Sequence, residues 1–163
     1  MTVWVSPEGL RRVEFGPLPR EDHTDPPGAR PPLLARAVTQ VQEYLAGERT
    51  AFDLPLDLGV ATDFQRAVYE KLVQVPHGRL TTYGALARSL GRPGAAQAVG
   101  QAVGANPVPI VIPCHRVVAA DGKLGGYSGG LPVKVALLAV ENVEVDGATP
   151  TSRVHPEVLR LDL

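Results

Sequence analysis

The only cysteine of the chain, Cys114, lies in the run Pro113-Cys114-His115-Arg116-Val117-Val118. The thiolate is the reactive form of cysteine, and a neighbouring imidazole or guanidinium favours the anion. His115 can also take the thiol proton, directly or through one bridging water. Sequence neighbours do not automatically face each other, so contact between the two side chains demands a particular backbone. Two readings are therefore open: an activated nucleophile, or an inert buried cysteine beside a surface histidine. The setting favours the first. An Asn106-Pro107 turn precedes the run, and five glycines in residues 122–130 follow it, which makes that stretch a loop. A single thiol excludes an internal disulfide and any zinc site built on two or more thiolates.

The elements that must position this run are legible as far as periodicity carries. Val3-Trp4-Val5 and Leu10–Phe15 flank Ser6-Pro7-Glu8-Gly9, which predicts a β-hairpin. Residues 16–32 contain six prolines and predict an extended surface loop. Leu33, Leu34, Ala37, Val38, Val41, Tyr44 and Leu45 follow helical spacing. Ala51–Gly59 reads as an extended connector. Phe64, Val68 and Leu72 predict a helix to about Gln74, closed by Pro76 and Gly78. Thr81 or Thr82 can cap a helix from Tyr83 to about Leu90. After Gly91-Arg92-Pro93, a further helix is expected from Gly94 to Ala105, ended by Asn106-Pro107. Val108–Ile112 reads as strand-like, and Pro132 opens a last helix to about Val140. The fold class is therefore α/β. Residues 1–60 form a small N-terminal α/β scaffold domain, a β-hairpin plus a helix. Residues 61–146 form a mainly helical domain with a winged-helix-like helix-turn-helix, and 147–163 a tail.

Charge divides unevenly. Residues 64–140 hold eight Lys or Arg against Glu70 and Asp121, whereas both flanks are acidic and the whole chain carries −1. A basic middle attracts polyanions, nucleic acid among them, although a solvated surface can carry the same excess. In residues 94–105 every residue except Gln97 and Gln101 is Gly, Ala or Val. Such a helix brings its backbone close to another surface, a neighbouring helix or DNA. If it is DNA, the lack of long base-reading side chains predicts weak sequence specificity. No apolar run approaches the roughly 20 residues of a membrane span. The N-terminus has no signal-peptide pattern. A lone reduced thiol fits a cytoplasmic protein.

Several blocks together carry a family resemblance. They are Thr82-Tyr83-Gly84-Ala85-Leu86-Ala87, Ala95-Ala96-Gln97-Ala98-Val99-Gly100, Asn106-Pro107-Val108-Pro109-Ile110, Pro113-Cys114-His115-Arg116-Val117 and Gly126-Tyr127-Ser128-Gly129-Gly130-Leu131, followed by Lys134 and Glu141. In this order and spacing the stretch from Phe64 to Glu141 resembles the O6-alkylguanine-DNA alkyltransferase family. Residues 1–60 match it only in size and in their β-then-helix order. The resemblance implies single-turnover transfer of an alkyl group from O6-alkylguanine, or O4-alkylthymine, in double-stranded DNA to Cys114. The base is flipped from the minor groove, because the reaction cannot proceed inside the stack. Glu141 would orient His115, His115 would deprotonate Cys114 through a water, and Tyr83 would protonate the leaving guanine. Asn106 would brace the turn. Tyr127, Ser128, Val117 and Pro109 would hold the base. Thr82, Ala95, Ala96, Gln97, Gln101 and Arg116 would meet the DNA. No cofactor, metal or membrane is implied, and the protein is expected to act as a monomer.

This chain departs from the family pattern in three places. Gln97 stands where an arginine usually fills the gap left by the flipped base. The zinc site of some members cannot form. Asn142 replaces a common glycine. Two other functions compete with alkyl transfer. A non-catalytic lesion-binding protein would mark damage for other repair proteins, but such relatives lack the reactive cysteine. A cysteine hydrolase would need an oxyanion hole and substrate groove that the sequence does not supply.

Overall fold

The computed structural model describes residues 1–16 and 32–154. Most of the proline-rich 16–32 segment and the end of the tail lie outside the described residues. The hairpin forms as expected. Strand β1 (Thr2–Val5) pairs antiparallel with β2 (Leu10–Glu14), Val3 opposite Val13, with an irregularity between Trp4 and Val5. Helix α1 (Pro32–Leu45) buries Ala37, Gln40, Val41 and Tyr44, the face its spacing marks.

The connector adds to the hairpin. Leu10 N donates to Pro55 O at 2.8 Å and Asp57 N donates to Leu10 O at 3.0 Å. A methyl group at Gly9 would lie 2.6 Å from Pro55 O, so this approach requires glycine. Gln40 ties α1 to the same segment. Its amide oxygen accepts from Asp53 N at 3.0 Å, and its Nε2 donates to Asp53 O at 3.2 Å.

Helix α2 (Asp63–Val73) opens with a capping box. Thr62 Oγ1 accepts from Gln65 N, and Gln65 Oε1 accepts from Thr62 N. A two-residue strand β3 (Thr81–Thr82) leads into α3 (Tyr83–Ser89), and α4 (Ala96–Gly104) follows the Gly91–Ala95 turns. Cys114–Arg116 form a single 3-10 turn, continued by β4 (Val117–Val118), which pairs parallel with β3. Helix α5 (Leu131–Val140) closes the core. Asn142 takes the left-handed conformation just past it, with φ 59°. Asparagine tolerates that position, so the common glycine is not required there.

Two expectations are corrected. Val108–Ile112 is not a strand. Pro107 and Pro109 offer no N–H, and Ile110 takes φ 77°, so the segment curls until Ile112 N donates to Val108 O at 2.9 Å. Left-handed backbone at a β-branched residue costs on the order of 1–3 kcal/mol. Ile110 is buried against Val41, Tyr44 and Leu137, and that packing holds it there. Helix α4 begins two residues later than expected, because Gly94 and Ala95 complete a turn in which Ala95 N donates to Arg92 O. The described start of the 147–163 tail lies against the core. Val154 is buried with Leu80, Val118, Leu124 and Leu138, and residues 153 and 154 bridge back to 123 and 145.

One continuous cluster joins the two halves of the chain. Leu10, Val13 and Ala37 pack with Leu72, Leu86, Val99, Cys114 and Val117. Among the described residues no helix is long and apolar enough to cross a membrane.

Candidate active site

Thr82 caps α3 through its hydroxyl, which accepts from Ala85 N at 3.1 Å, and this sets Tyr83 at the helix start. Asn106 closes the turn after α4. Its Nδ2 donates to Ile112 O at 2.8 Å and its Oδ1 accepts from Val108 N at 3.0 Å. These bonds deliver the 3-10 turn and Cys114 beneath α4. The glycine-rich loop comes over the other side. A methyl group at Gly129 would overlap the Phe15 ring, so only glycine admits that approach. Between loop and helix lies a cavity of about 230 Å³ lined by Tyr83, Gly100, Val103, Gly104, Cys114, Gly126, Tyr127 and Ser128. Cys114 is 3% exposed.

Behind the cysteine is a buried polar cluster. His115 Nε2 lies 2.9 Å from Glu141 Oε1. Arg116 donates to both carboxylate oxygens, through Nε at 3.0 Å and Nη2 at 2.8 Å, and through Nη1 to Val75 O. Gly78 N donates to Glu141 Oε2 at 2.9 Å. Tyr44 donates its hydroxyl proton to Glu141 Oε1 at 2.6 Å and lies 3.1 Å from His115 Nε2. An ionised carboxylate only accepts, so Nε2 carries the imidazole proton. Nδ1 is then the basic nitrogen, and it has no partner among the described residues. From α5, Lys134 Nζ donates to Val117 O at 2.7 Å and to Leu124 O, stitching β4 to the glycine-rich loop.

The electrostatics follow from burial and pairing. Burial pushes the Cys114 thiol up, opposed by Asn106, Tyr127 and Lys134. Burial pushes His115 down against the pull of Glu141. Burial alone would raise Glu141, but hydrogen bonds from His115 and Arg116 hold it well below the usual carboxylate range. Burial lowers Lys134 to about 8. At neutral pH the site therefore rests as thiol, neutral imidazole and carboxylate. That arrangement can move the thiol proton to an adjacent base when an electrophile enters the cavity.

The structure brings Cys114, Tyr83, Tyr127 and Ser128 to one cavity, and His115, Asn106 and Glu141 to its back. Gln97 and Gln101 are exposed one turn apart on α4, with Ala95 and Ala96 half-buried at its start. Arg116 is a correction. Expected at the DNA, it is 5% exposed and its guanidinium is taken up by Glu141 and Val75. Val117 and Pro109 do not line the cavity. Val117 is fully buried with its carbonyl on Lys134, and Pro109 borders the adjoining groove against β2, which shares Gly104 and Ser128 with the cavity. Thr82 spends its hydroxyl on the cap. Sequence reasoning missed Tyr44 and the inward role of Arg116. Helical spacing marked Tyr44 as a core residue, and nothing local told its hydroxyl from a phenylalanine's edge.

A helix-turn-helix whose second helix covers a cavity ending on one buried thiol, backed by an imidazole–carboxylate pair, defines a protein that presents a cysteine to a ligand reached from the helical face. Comparison with known proteins gives that class its family. Residues 63–143 match the 6-O-methylguanine DNA methyltransferase, DNA binding domain, and residues 1–58 match the ribonuclease-like domain of the same enzymes. The chain is 48% identical over 133 residues to a methylated-DNA–protein-cysteine methyltransferase of Mycobacterium bovis, covering 81% of this chain and 78% of the relative. It is similar to the crystal structure of Mycobacterium tuberculosis OGT in complex with DNA, with TM-score 0.73, 43% identity, and coverage of 85% of this chain and 84% of that one. An S. pombe protein in complex with damaged DNA containing O6-carboxymethylguanine is similar at TM-score 0.54 and 29% identity, over 61% of this chain and 95% of that one. The chain belongs to the methylated-DNA–protein-cysteine methyltransferase family.

Proposed function

We propose that this protein repairs O6-alkylguanine in duplex DNA by moving the alkyl group irreversibly onto Cys114. The observation that carries the reading is Cys114 on the wall of a cavity that opens beside α4, with a proton-accepting imidazole held behind it. The side-chain-poor face of α4 lies in the minor groove, and the damaged base turns out of the stack into the cavity. The thiol proton passes through a water to His115 Nδ1, and Glu141 stabilises the imidazolium. Sulfur attacks the alkyl carbon, the S–C bond forms, and the C–O6 bond breaks with its electron pair leaving on guanine. Tyr83 supplies a proton to the departing base and regains one from solvent. The thioether is stable, so each molecule acts once. A reducing, cytoplasmic setting keeps the thiol available.

Intact-protein mass spectrometry after incubation with O6-methylguanine duplex tests this. The expected result is one methyl group per chain, on Cys114. Binding without mass gain would instead indicate a lesion-marking protein.

The pH dependence follows from His115. A protonated imidazole cannot take the thiol proton, so the single-turnover rate falls as pH drops. Burial holds His115 below its ordinary value. The acid limb of the rate profile is therefore expected below the usual histidine range, with a plateau through neutrality. A limb centred above that range would contradict this assignment.

Gln97 is exposed on α4 where the family resemblance expects arginine. Gln97→Arg adds a planar cation near phosphates and the flipped-out gap. It is expected to tighten binding to O6-methylguanine duplex by about 1–2 kcal/mol, roughly tenfold in Kd. A fluorescence-anisotropy titration checks it.

A further inference from the structure

Tyr44 comes from α1, 71 residues before His115, and is fully buried. Its ring packs on Phe52 at 5.4 Å and belongs to a cluster with Val41, Ile110 and Leu137. Phenylalanine would satisfy all of that packing. The hydroxyl is what packing does not explain. It sits 2.6 Å from Glu141 Oε1 and 3.1 Å from His115 Nε2, and it has only one proton to give. The proton goes to the ionised carboxylate at the shorter distance. The hydroxyl oxygen is then left to accept from His115 Nε2–H.

We propose that Tyr44 is a positioning residue of the transfer reaction, its hydroxyl holding Glu141 and the Nε2–H of His115 so that Nδ1 remains the acceptor for the thiol proton. The proposal rests on the methyl-transfer reading. It makes the N-terminal half a working part of the proton relay as well as a scaffold. Tyr44 also draws off part of the carboxylate's charge. The charged and titratable groups around His115 are Lys134 from α5 and Glu141 just past its end, Arg116 and Cys114 beside it in the turn, and Tyr44 from α1. His77 lies beyond, its ring 6.1 Å from that of Tyr44. Without the hydroxyl, Glu141 faces the imidazole less neutralised and stabilises the imidazolium more. His115 then titrates at higher pH.

The test uses the full chain. Wild type is first shown to take one methyl group from O6-methylguanine duplex, and failure there would overturn the methyl-transfer reading itself. Tyr44→Phe is then expected to slow single-turnover transfer at the plateau by about tenfold, because the imidazole loses more in alignment than it gains in basicity, a loss of the size seen when the orienting partner of a metal-bound imidazole is removed. The acid limb should move to higher pH, while affinity for unmodified duplex stays the same. In a Glu141→Gln background, adding Tyr44→Phe should slow the reaction no further, because both act through one carboxylate. A Tyr44→Phe protein with wild-type rate and acid limb, altered only in Tm, would overturn the proposal. So would additive losses in the double variant. 3-Fluorotyrosine placed at position 44 keeps the ring and strengthens the donor. It should move the acid limb to lower pH, and an unmoved limb counts against the proposal even if Tyr44→Phe does not fold.

Discussion

A Cys114→Ser variant takes up no methyl group from O6-methylguanine duplex, yet binds that duplex as wild type does. The two halves of this expectation have separate physical origins. Transfer needs an anionic nucleophile, and a serine hydroxyl is a far weaker acid than a thiol. His115 is held below its ordinary basicity by burial, which widens the gap between it and an alcohol still further. Oxygen is also the poorer nucleophile toward saturated carbon. Binding depends on other atoms. The exposed Gln97–Gln101 face of α4 and the cavity walls formed by Tyr83, Gly100, Tyr127 and Ser128 are untouched by the change. Oxygen for sulfur is a small loss of volume next to a cavity that already exists. Intact mass measures the first half and a gel-shift titration the second. Methyl uptake by the serine variant would remove Cys114 from the reaction. Loss of binding with a native melting curve would mean that the sulfur itself is part of the lesion-recognition surface.

Glu141→Ala is expected to produce the largest loss of stability of any single change in the site, about 3–5 kcal/mol, because it strands a buried guanidinium. Arg116 is 5% exposed and makes three of its hydrogen bonds to this one carboxylate. Gly78 N and the Tyr44 hydroxyl lose their acceptor in the same stroke. For a chain of this size the loss corresponds to a fall in Tm on the order of 10 °C, measurable by calorimetry. The pH dependence carries a sign. Glu141 titrates below the ordinary carboxylate range in the folded state, held there by His115 and Arg116 against its own burial. Its contribution is therefore complete above the unfolded carboxylate value and is lost as pH falls through the lowered folded value. The stability gap between wild type and Glu141→Ala should narrow in strong acid. A gap that stays constant would mean that the carboxylate is not ionised in the fold. The same variant should also lose transfer activity, since His115 loses the carboxylate that fixes its proton on Nε2 and stabilises the imidazolium.

The readable and unreadable parts of this site differ in range. Cys114 and His115 are adjacent, and Asn106 and Pro107 announce a turn. Local chemistry states all of this. The Val108–Ile112 segment misled because five apolar residues look extended, while two missing N–H donors and a left-handed Ile110 make them curl. Arg116 misled in the other direction. In a basic stretch an arginine beside the reactive residue reads as a DNA contact. The 3-10 turn rotates it inward, and only there does a carboxylate 25 residues away meet it. Tyr44 could be placed on the buried face of α1 by its spacing, but which neighbour its hydroxyl would find depends on how α1 docks against α5.

The amino-acid sequence by itself determined the order of the elements, the small-residue surface of α4, the single sulfur and the imidazole next to it. Helical and strand periodicities and turn chemistry act over a few residues, and that range covers these features. The tertiary structure decided that Tyr44, His115, Arg116 and Glu141 share one buried cluster, and that the tail through Val154 closes over the core. Those outcomes come from packing between segments far apart in the chain. Burial there makes these side chains depend on one another, because a carboxylate taken out of water is stabilised only by the donors the fold brings to it.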